Sequence, residues 1–354
     1  MRLLESTISG IVPLDADARA RARQRLEHLT MPYWALGRLM DLAEELAGMT
    51  GSVKPPVSRK TVVTMAGDHG VTVAGVTQYP QEVTVQMVYN FVRGGAGINA
   101  IARLVGARVV VVDMGVAGDL GDLVAEKKIV SKRVRAGTGN IVAGPAMSRK
   151  EAVHSVESGI EVALELGDST DIFGTGEMGI GNTTPSAAII AVFSGKPVSE
   201  IAGRGTGIDD NQLLHKIAVI EKAIKVNRPD PSDPLNVLAK VGGFEIGGIA
   251  GLILGAASQR KPVLVDGFIA TAGALVAAHL SPLSREYMIA SHRSMEKGHH
   301  IALDCLGKKP LLDLDLRLGE GTGAALAMNI VEASVRILTE VATFEEAAVS
   351  RAGA

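Results

Sequence analysis

Asp313-Leu314-Asp315-Leu316-Arg317-Leu318-Gly319-Glu320-Gly321-Thr322-Gly323, followed by an apolar run over residues 324–341, decides how the chain is read. Leucines at 312, 314, 316 and 318 alternate with the period of a strand, and apolar residues then recur every three or four positions. A glycine-rich turn is therefore expected to join strand to helix. Glycine lets backbone N–H groups come close to a ligand, and the start of a helix adds unpaired donors. Glu320 stands between two glycines of this turn. Taken alone, it is either a carboxylate with work to do or an acid favoured beside a helix N-terminus.

Outward from this stretch, 354 residues with 41 glycines, 47% apolar residues and only 3% aromatics describe an α/β protein with many tight strand-to-helix turns. A formal net charge of −2 and the lack of a basic run give nucleic acid or an anionic membrane no electrostatic footing. With no apolar signal region at the N-terminus and no apolar run of about twenty residues, a soluble cytoplasmic protein is expected. The single Cys305 falls in an apolar pattern and reads as a core thiol rather than a nucleophile.

Two helices are predicted before any strand, over residues 15–29 and along the face of Leu36, Leu39, Met40, Ala43 and Leu46, with a proline-bearing linker at 51–56 behind them. The body then gives strands at 61–65, 109–114, 171–173, 262–268, 287–290 and 312–318, separated by helices. A parallel sheet covered by helices on both faces is the economical architecture. Asp68 and Asp113 end two of the strands, where open parallel sheets bind ligands. With His69 they suggest a metal site only weakly, because no paired His or Cys spacing supports one, and no metal is assigned. Ser148 with Glu151 has the spacing of a capping box opening a helix to residue 166.

Gly174-Thr175-Gly176-Glu177-Met178-Gly179-Ile180-Gly181-Asn182-Thr183-Thr184-Pro185 follows a short strand and runs into a proline-started helix. Gly176, Gly179, Gly181, Asn182 and Thr183 thus become candidate donors around a phosphate. Dinucleotide binding competes, but the first strand lacks the Gly-x-Gly-x-x-Gly turn that opens such folds. A second glycine loop, 202–210, holds Gly205 and ends in Asp209-Asp210, which either cap the next helix or hold magnesium beside a diphosphate. Lys216 on that helix either points back to a phosphate or is solvated. Asp266 ends the 262–268 strand, and Ser291 ends the 287–290 strand.

Met65-Ala66-Gly67-Asp68-His69-Gly70-Val71, Gly139-Asn140-Ile141 with Gly144-Pro145-Ala146-Met147-Ser148, the 174–185 loop, Lys240-Val241-Gly242-Gly243-Phe244, Leu264-Val265-Asp266-Gly267-Phe268, Glu296-Lys297-Gly298 and Arg317-Leu318-Gly319-Glu320-Gly321 occur in one order. In that order they resemble the nicotinate-nucleotide:dimethylbenzimidazole phosphoribosyltransferases of cobalamin lower-ligand assembly, over nearly the whole chain. The resemblance implies a Rossmann-like large domain (55–323), a small helical domain from the chain ends (1–50 with part of 324–354), and a homodimer with sites near the subunit interface. It implies transfer of the phosphoribosyl group of nicotinate mononucleotide to 5,6-dimethylbenzimidazole or a related base, without a cofactor.

The resemblance also makes Glu320 the catalytic base. Glu177 is a second catalytic candidate, Gly176, Gly179, Gly181, Asn182, Thr183, Gly205, Lys216, Asp266 and Ser291 hold the nucleotide, and Tyr79, Met87 and Leu318 line the base pocket. Two segments depart from the family pattern: 31–37, where Tyr33 and Trp34 stand in place of a Pro-Pro-Gly-Ser-Leu-Gly motif, and 79–87, where Tyr79 and Met87 replace polar positions. A nucleotide-binding sensor without activity and a nicotinamide-dependent oxidoreductase are the alternatives.

Overall fold

The computed structural model describes residues 2–205 and 207–350. Its sheet contains β1 (Lys60–Gly67), β2 (Ala107–Gly115), β3 (Val130–Ser131), β4 (Ile172–Met178), β5 (Val263–Val265) and β6 (Met288–Ala290) in the order β3-β2-β1-β4-β5-β6. Every pairing is parallel, with Lys60 opposite Ala107 on one side of β1 and Ile172 on the other. The order reverses between β1 and β4, and it is at such a switch point that the carboxyl ends of neighbouring strands open a crevice.

β1 is buried along its whole length, which explains why Thr61-Val62-Val63-Thr64-Met65 reads as a continuous run rather than an alternation. Val62 and Thr64 face the helix Thr322–Glu340, which packs through Ala324 and Met328 over Gly174. Met65 and Met114 meet Gly248 of the helix Phe244–Ser258 on the opposite face. That helix lies closely against Arg149–Gly167: a Cβ on Gly159 would sit 2.0 Å from the Gly248 carbonyl oxygen, so the crossing has no room for a side chain. The expected capping box opens Arg149–Gly167, with Ser148 accepting from the Glu151 N–H and the Glu151 carboxylate accepting from the Ser148 N–H.

A second apolar cluster joins the chain ends. Ala22, Leu26, Leu29, Met40, Ala43 and Ala47 pack against Leu338, and the Arg25 guanidinium donates to the Leu338 and Val341 carbonyls. The helix Arg38–Thr50 serves both clusters, because Leu42, Leu46 and Met49 on its other side join the main core. Leu4 and Ile11 also belong to the main core, so the helix Arg2–Ser9 sits on the body rather than on the end cluster.

One predicted strand is absent. Residues 312–318 form only a single bridge, His292 to Leu312, and Leu314 and Leu318 are exposed. Alternating leucines signalled an extended chain, but the segment runs beyond the sheet's edge and bonds to the residues after β6 instead. The sixth strand is Val130–Ser131, too short to carry a periodic signal.

Candidate active site

At the carboxyl ends of β1, β4 and β5 lies a cavity of about 330 Å³ whose lining includes Tyr79 and Met87, the loop after β4, Arg204, Gly205, Ile208 and Lys216, the 267–269 turn, His292, Ser294 and Glu296, and the 317–320 turn. The loop after β4 is fixed from outside by the Thr84 hydroxyl, which accepts from the Ile180 N–H at 3.1 Å. The helix Thr183–Ser194 starts there, with Asn182 and Thr183 on the cavity wall, the Thr184 N–H bonded to the Gly181 carbonyl and Pro185 carrying no N–H. Lys216, only 2% exposed, brings its ammonium to the same point and donates to the Thr183 hydroxyl at 2.6 Å. Burial lowers the Lys216 pKa to about 8, with the Glu296 carboxylate partly opposing the shift. A desolvated cation beside a helix N-terminus is an arrangement that suits an anion. The solvated reading of Lys216 is excluded, and Asp209 takes the capping role, accepting from the Gln212 N–H at 2.8 Å. Thr206 of that glycine loop lies outside the described residues.

Glu320 lines the same cavity. Gly319, Glu320 and Gly321 have φ of +83°, +62° and +95°, and a non-glycine residue is held in this region only when its surroundings insist on it. Two contacts hold the turn: Thr64 donates to the Glu320 carbonyl, and Gly176 lies so close beneath that a Cβ would be 2.4 Å from the same oxygen. Glu320 Oε2 accepts from the Ile98 N–H at 3.0 Å, at the start of the helix Gly97–Val105. The Gly97 N–H also bonds to this carboxylate. Burial raises the Glu320 pKa, opposed by the Ile98 N–H.

Glu177, next to the last residue of β4, touches the same turn: a Cβ on Gly319 would lie 2.1 Å from Glu177 Oε1. The Asn182 amide donates to Glu177 Oε2 at 2.5 Å. Burial, reinforced by the negative charge of Asp266, lifts the Glu177 pKa to about 8, so its carboxyl is largely protonated at neutral pH.

Of the residues singled out in the sequence, Glu177, Gly179, Gly181, Asn182, Thr183, Gly205, Lys216, Tyr79, Met87, Leu318 and Glu320 line this one cavity. Gly176, Asp266 and Ser291 do not. Gly176 supports the turn from below. Asp266 accepts from the Gly321 and Ala324 N–H groups, capping the helix Thr322–Glu340 from outside, and Ser291 donates to the Val265 carbonyl. Arg204, His292, Ser294, Glu296 and Arg317 also line the cavity and were not singled out. Glu296 was visible as part of a motif, but nothing in its spacing gave it a partner across the site.

The strand-end groups Asp68, His69 and Asp113 turn to local duties. Asp113 accepts from the Gly115 and Val116 N–H groups, and Asp68 from that of Ala117. His69 is buried 2.9 Å from the Glu245 carboxylate. Among the described residues no cluster of three or more His, Cys, Asp or Glu side chains is arranged to hold a metal ion. Cys305 is half-buried on the helix His299–Leu306, and burial raises its pKa.

Fold and cavity together define a Rossmann-ordered α/β protein whose switch-point cleft is lined by a buried ammonium and a pair of carboxyl groups. A profile of the phosphoribosyltransferase family matches residues 11–349. The nicotinate-nucleotide–dimethylbenzimidazole phosphoribosyltransferase of Syntrophotalea carbinolica is 61% identical over 351 residues, 99% of each chain, and that of Geobacter sulfurreducens is 57% identical over the same share. The crystal structure of the Thermus thermophilus enzyme of that name superposes with a TM-score of 0.90 at 44% identity, covering 96% of this chain and all of that one. The chain belongs to the nicotinate-nucleotide–dimethylbenzimidazole phosphoribosyltransferase family.

Proposed function

We propose that the protein transfers the phosphoribosyl group of nicotinate mononucleotide to 5,6-dimethylbenzimidazole or a related base, releasing nicotinate and forming the α-ribotide used in the cobalamin lower ligand. The observation that carries this is one cavity lined both by the buried Lys216 ammonium, held at Thr183, and by the Glu320 carboxylate, anchored by the Ile98 N–H.

A neutral benzimidazole offers a bare ring nitrogen to ribose C1′ and an N–H whose proton becomes acidic as the ring gains positive charge. Glu320 Oε1 is assigned to that N–H: it orients the ring and takes the proton as the new C–N bond forms. Nicotinate leaves from C1′ with the electron pair of the broken bond, which neutralises its pyridinium nitrogen. The leaving group is thus already activated, and the reaction balances without a metal or cofactor. Glu177 is assigned to the ribose face, where its carboxyl oxygens lie toward the positive charge growing at C1′. Gly179, Gly181, Asn182, Thr183, Gly205 and Lys216 are assigned to the 5′-phosphate, and Tyr79, Met87 and Leu318 to the base. Gly176, Asp266 and Ser291 support the site from behind.

An oxidoreductase is disfavoured because β1 leads through Asp68 and His69 into a short 3₁₀ turn, Gly70–Ala74, rather than into a glycine-fingerprint helix. The exposed Tyr79, Leu314 and Leu318 at or near the cavity support a homodimer that covers them. The end cluster supports a small helical domain built from 1–50 and part of 324–354, with Arg2–Ser9 docked on the body. Cytoplasmic residence fits the described residues, in which no helix is long and apolar enough to cross a membrane. Incubation with nicotinate mononucleotide and dimethylbenzimidazole tests the reading: free nicotinate must appear in step with the ribotide, and its absence rejects the assignment.

A further inference from the structure

Asp266 and Ser291 miss the cavity, yet both touch a side chain that reaches it. His292 is almost fully buried and lines the cavity beside Gly267 and Ser294. A Cβ on Gly267 would lie 3.5 Å from His292 Nε2 and 3.7 Å from Ser294 Cβ, so the imidazole and the serine flank the same glycine. On its far side, His292 Nδ1 is 3.1 Å from the Ser291 hydroxyl and 3.6 Å from Asp266 Oδ1. The ring is seated against the first turn of Thr322–Glu340 so closely that a Cβ on Gly323 would lie 1.9 Å from Nδ1. Only glycine permits that approach.

These contacts fix the tautomer. A hydroxyl has one proton, and Ser291 gives its own to the Val265 carbonyl at 2.7 Å, so toward His292 it can only accept. Asp266 likewise accepts, from the Gly321 and Ala324 N–H groups. In the neutral ring the proton therefore sits on Nδ1, and Nε2 carries a lone pair. Nε2 has no protein partner among the described residues.

We propose that His292 Nε2 accepts a hydrogen bond from a ribose hydroxyl of the nucleotide, with Ser291 and Asp266 as the positioning residues that hold its lone pair toward the cavity. The proposal rests on the phosphoribosyl-transfer reading above. The substrates narrow the choice of donor. The phosphate and the nicotinate carboxylate only accept, the pyridinium nitrogen of the nucleotide has no hydrogen, and the benzimidazole N–H is assigned to Glu320. The remaining donors are the 2′ and 3′ hydroxyls. Such a site discriminates against a sugar lacking the contacted hydroxyl, because its own buried acceptor is then left unpaired.

The test compares nicotinate mononucleotide with its 2′-deoxy and 3′-deoxy forms, following nicotinate release by the wild type, His292→Ala and Ser291→Ala. Turnover of the ribonucleotide by the wild type tests the underlying reaction separately, and its absence rejects that reaction and this contact together. Given turnover, the wild type is expected to disfavour one deoxy form by roughly ten- to a hundredfold in kcat/KM. His292→Ala should use that form and the ribonucleotide within about threefold of each other, and Ser291→Ala should lose part of the discrimination. Discrimination that survives in His292→Ala overturns the proposal, as does a wild type indifferent to both hydroxyls or a His292→Ala defect that varies with the base instead of the sugar. If His292→Ala does not fold, Ser291→Ala decides: unchanged discrimination there overturns the contact.

Discussion

Lys216→Met should make the ligand-free protein more stable and the enzyme worse. Burial brings the lysine from its ordinary pKa of 10.5 to about 8, and each unit is worth about 1.4 kcal/mol, so holding the charged ammonium in place costs the fold about 3 kcal/mol at neutral pH. Methionine fills the volume without the charge and forfeits the bond to Thr183, worth about 1 kcal/mol, which leaves a net gain of about 2 kcal/mol. The sign with pH follows from linkage. The folded pKa lies below the unfolded one, so the wild type bears the full penalty below pH 8 and sheds it as pH rises toward 10.5. Denaturant unfolding at pH 7 and pH 9.5 should therefore show the advantage of the variant shrinking at the higher pH. In turnover assays, the KM for the nucleotide should rise roughly ten- to a hundredfold, with the KM for the base within about threefold. A variant that is destabilised at pH 7 and keeps its nucleotide KM would refute the assignment of Lys216 to the phosphate.

Glu177→Gln should remove a titration near pH 8 from the kcat/KM profile of the nucleotide, because that profile reports groups of the free enzyme. Its folded pKa of about 8 stands above the ordinary 4.5, so the wild type loses stability as pH rises through that window, and the variant should gain on it there in thermal unfolding. Gly176→Ala should lower turnover about a hundredfold and stability by about 1–3 kcal/mol, since the new Cβ would press on the carbonyl that holds Glu320; a crystal structure of the variant should show the 319–321 turn displaced.

The strands of the sheet interior were legible because burial on both faces leaves an unbroken apolar run, as in β1. The glycine-rich turn before the helix Thr183–Ser194 was legible, although its first residues, through Met178, belong to β4, and the turn around Glu320 was legible from its glycines while the role proposed for that residue came from the resemblance. The leucine alternation at 312–318 misled because a period of two reports an extended backbone, whether or not a neighbouring strand is there to pair with it. Lys216 was ambiguous in sequence because its solvation depends on Thr183 and Glu296, which come from other segments. His292 was missed for a related reason. A histidine after a strand is ordinary, and only the fold shows Ser291 and Asp266 behind it and the cavity in front.

Proton NMR of the reaction mixture, run with the wild type and with Glu320→Gln, tests the central claim most directly. In the proposed reaction Glu320 serves the benzimidazole N–H and Glu177 forms no bond to the sugar, so a single displacement at C1′ inverts it. The wild type should convert the β-linked nicotinate nucleotide into an α-linked benzimidazole ribotide with one equivalent of nicotinate, and Glu320→Gln should be slower by roughly a hundredfold or more while still binding the nucleotide. A β-linked product, or a Glu320→Gln enzyme as fast as the wild type, would contradict the account.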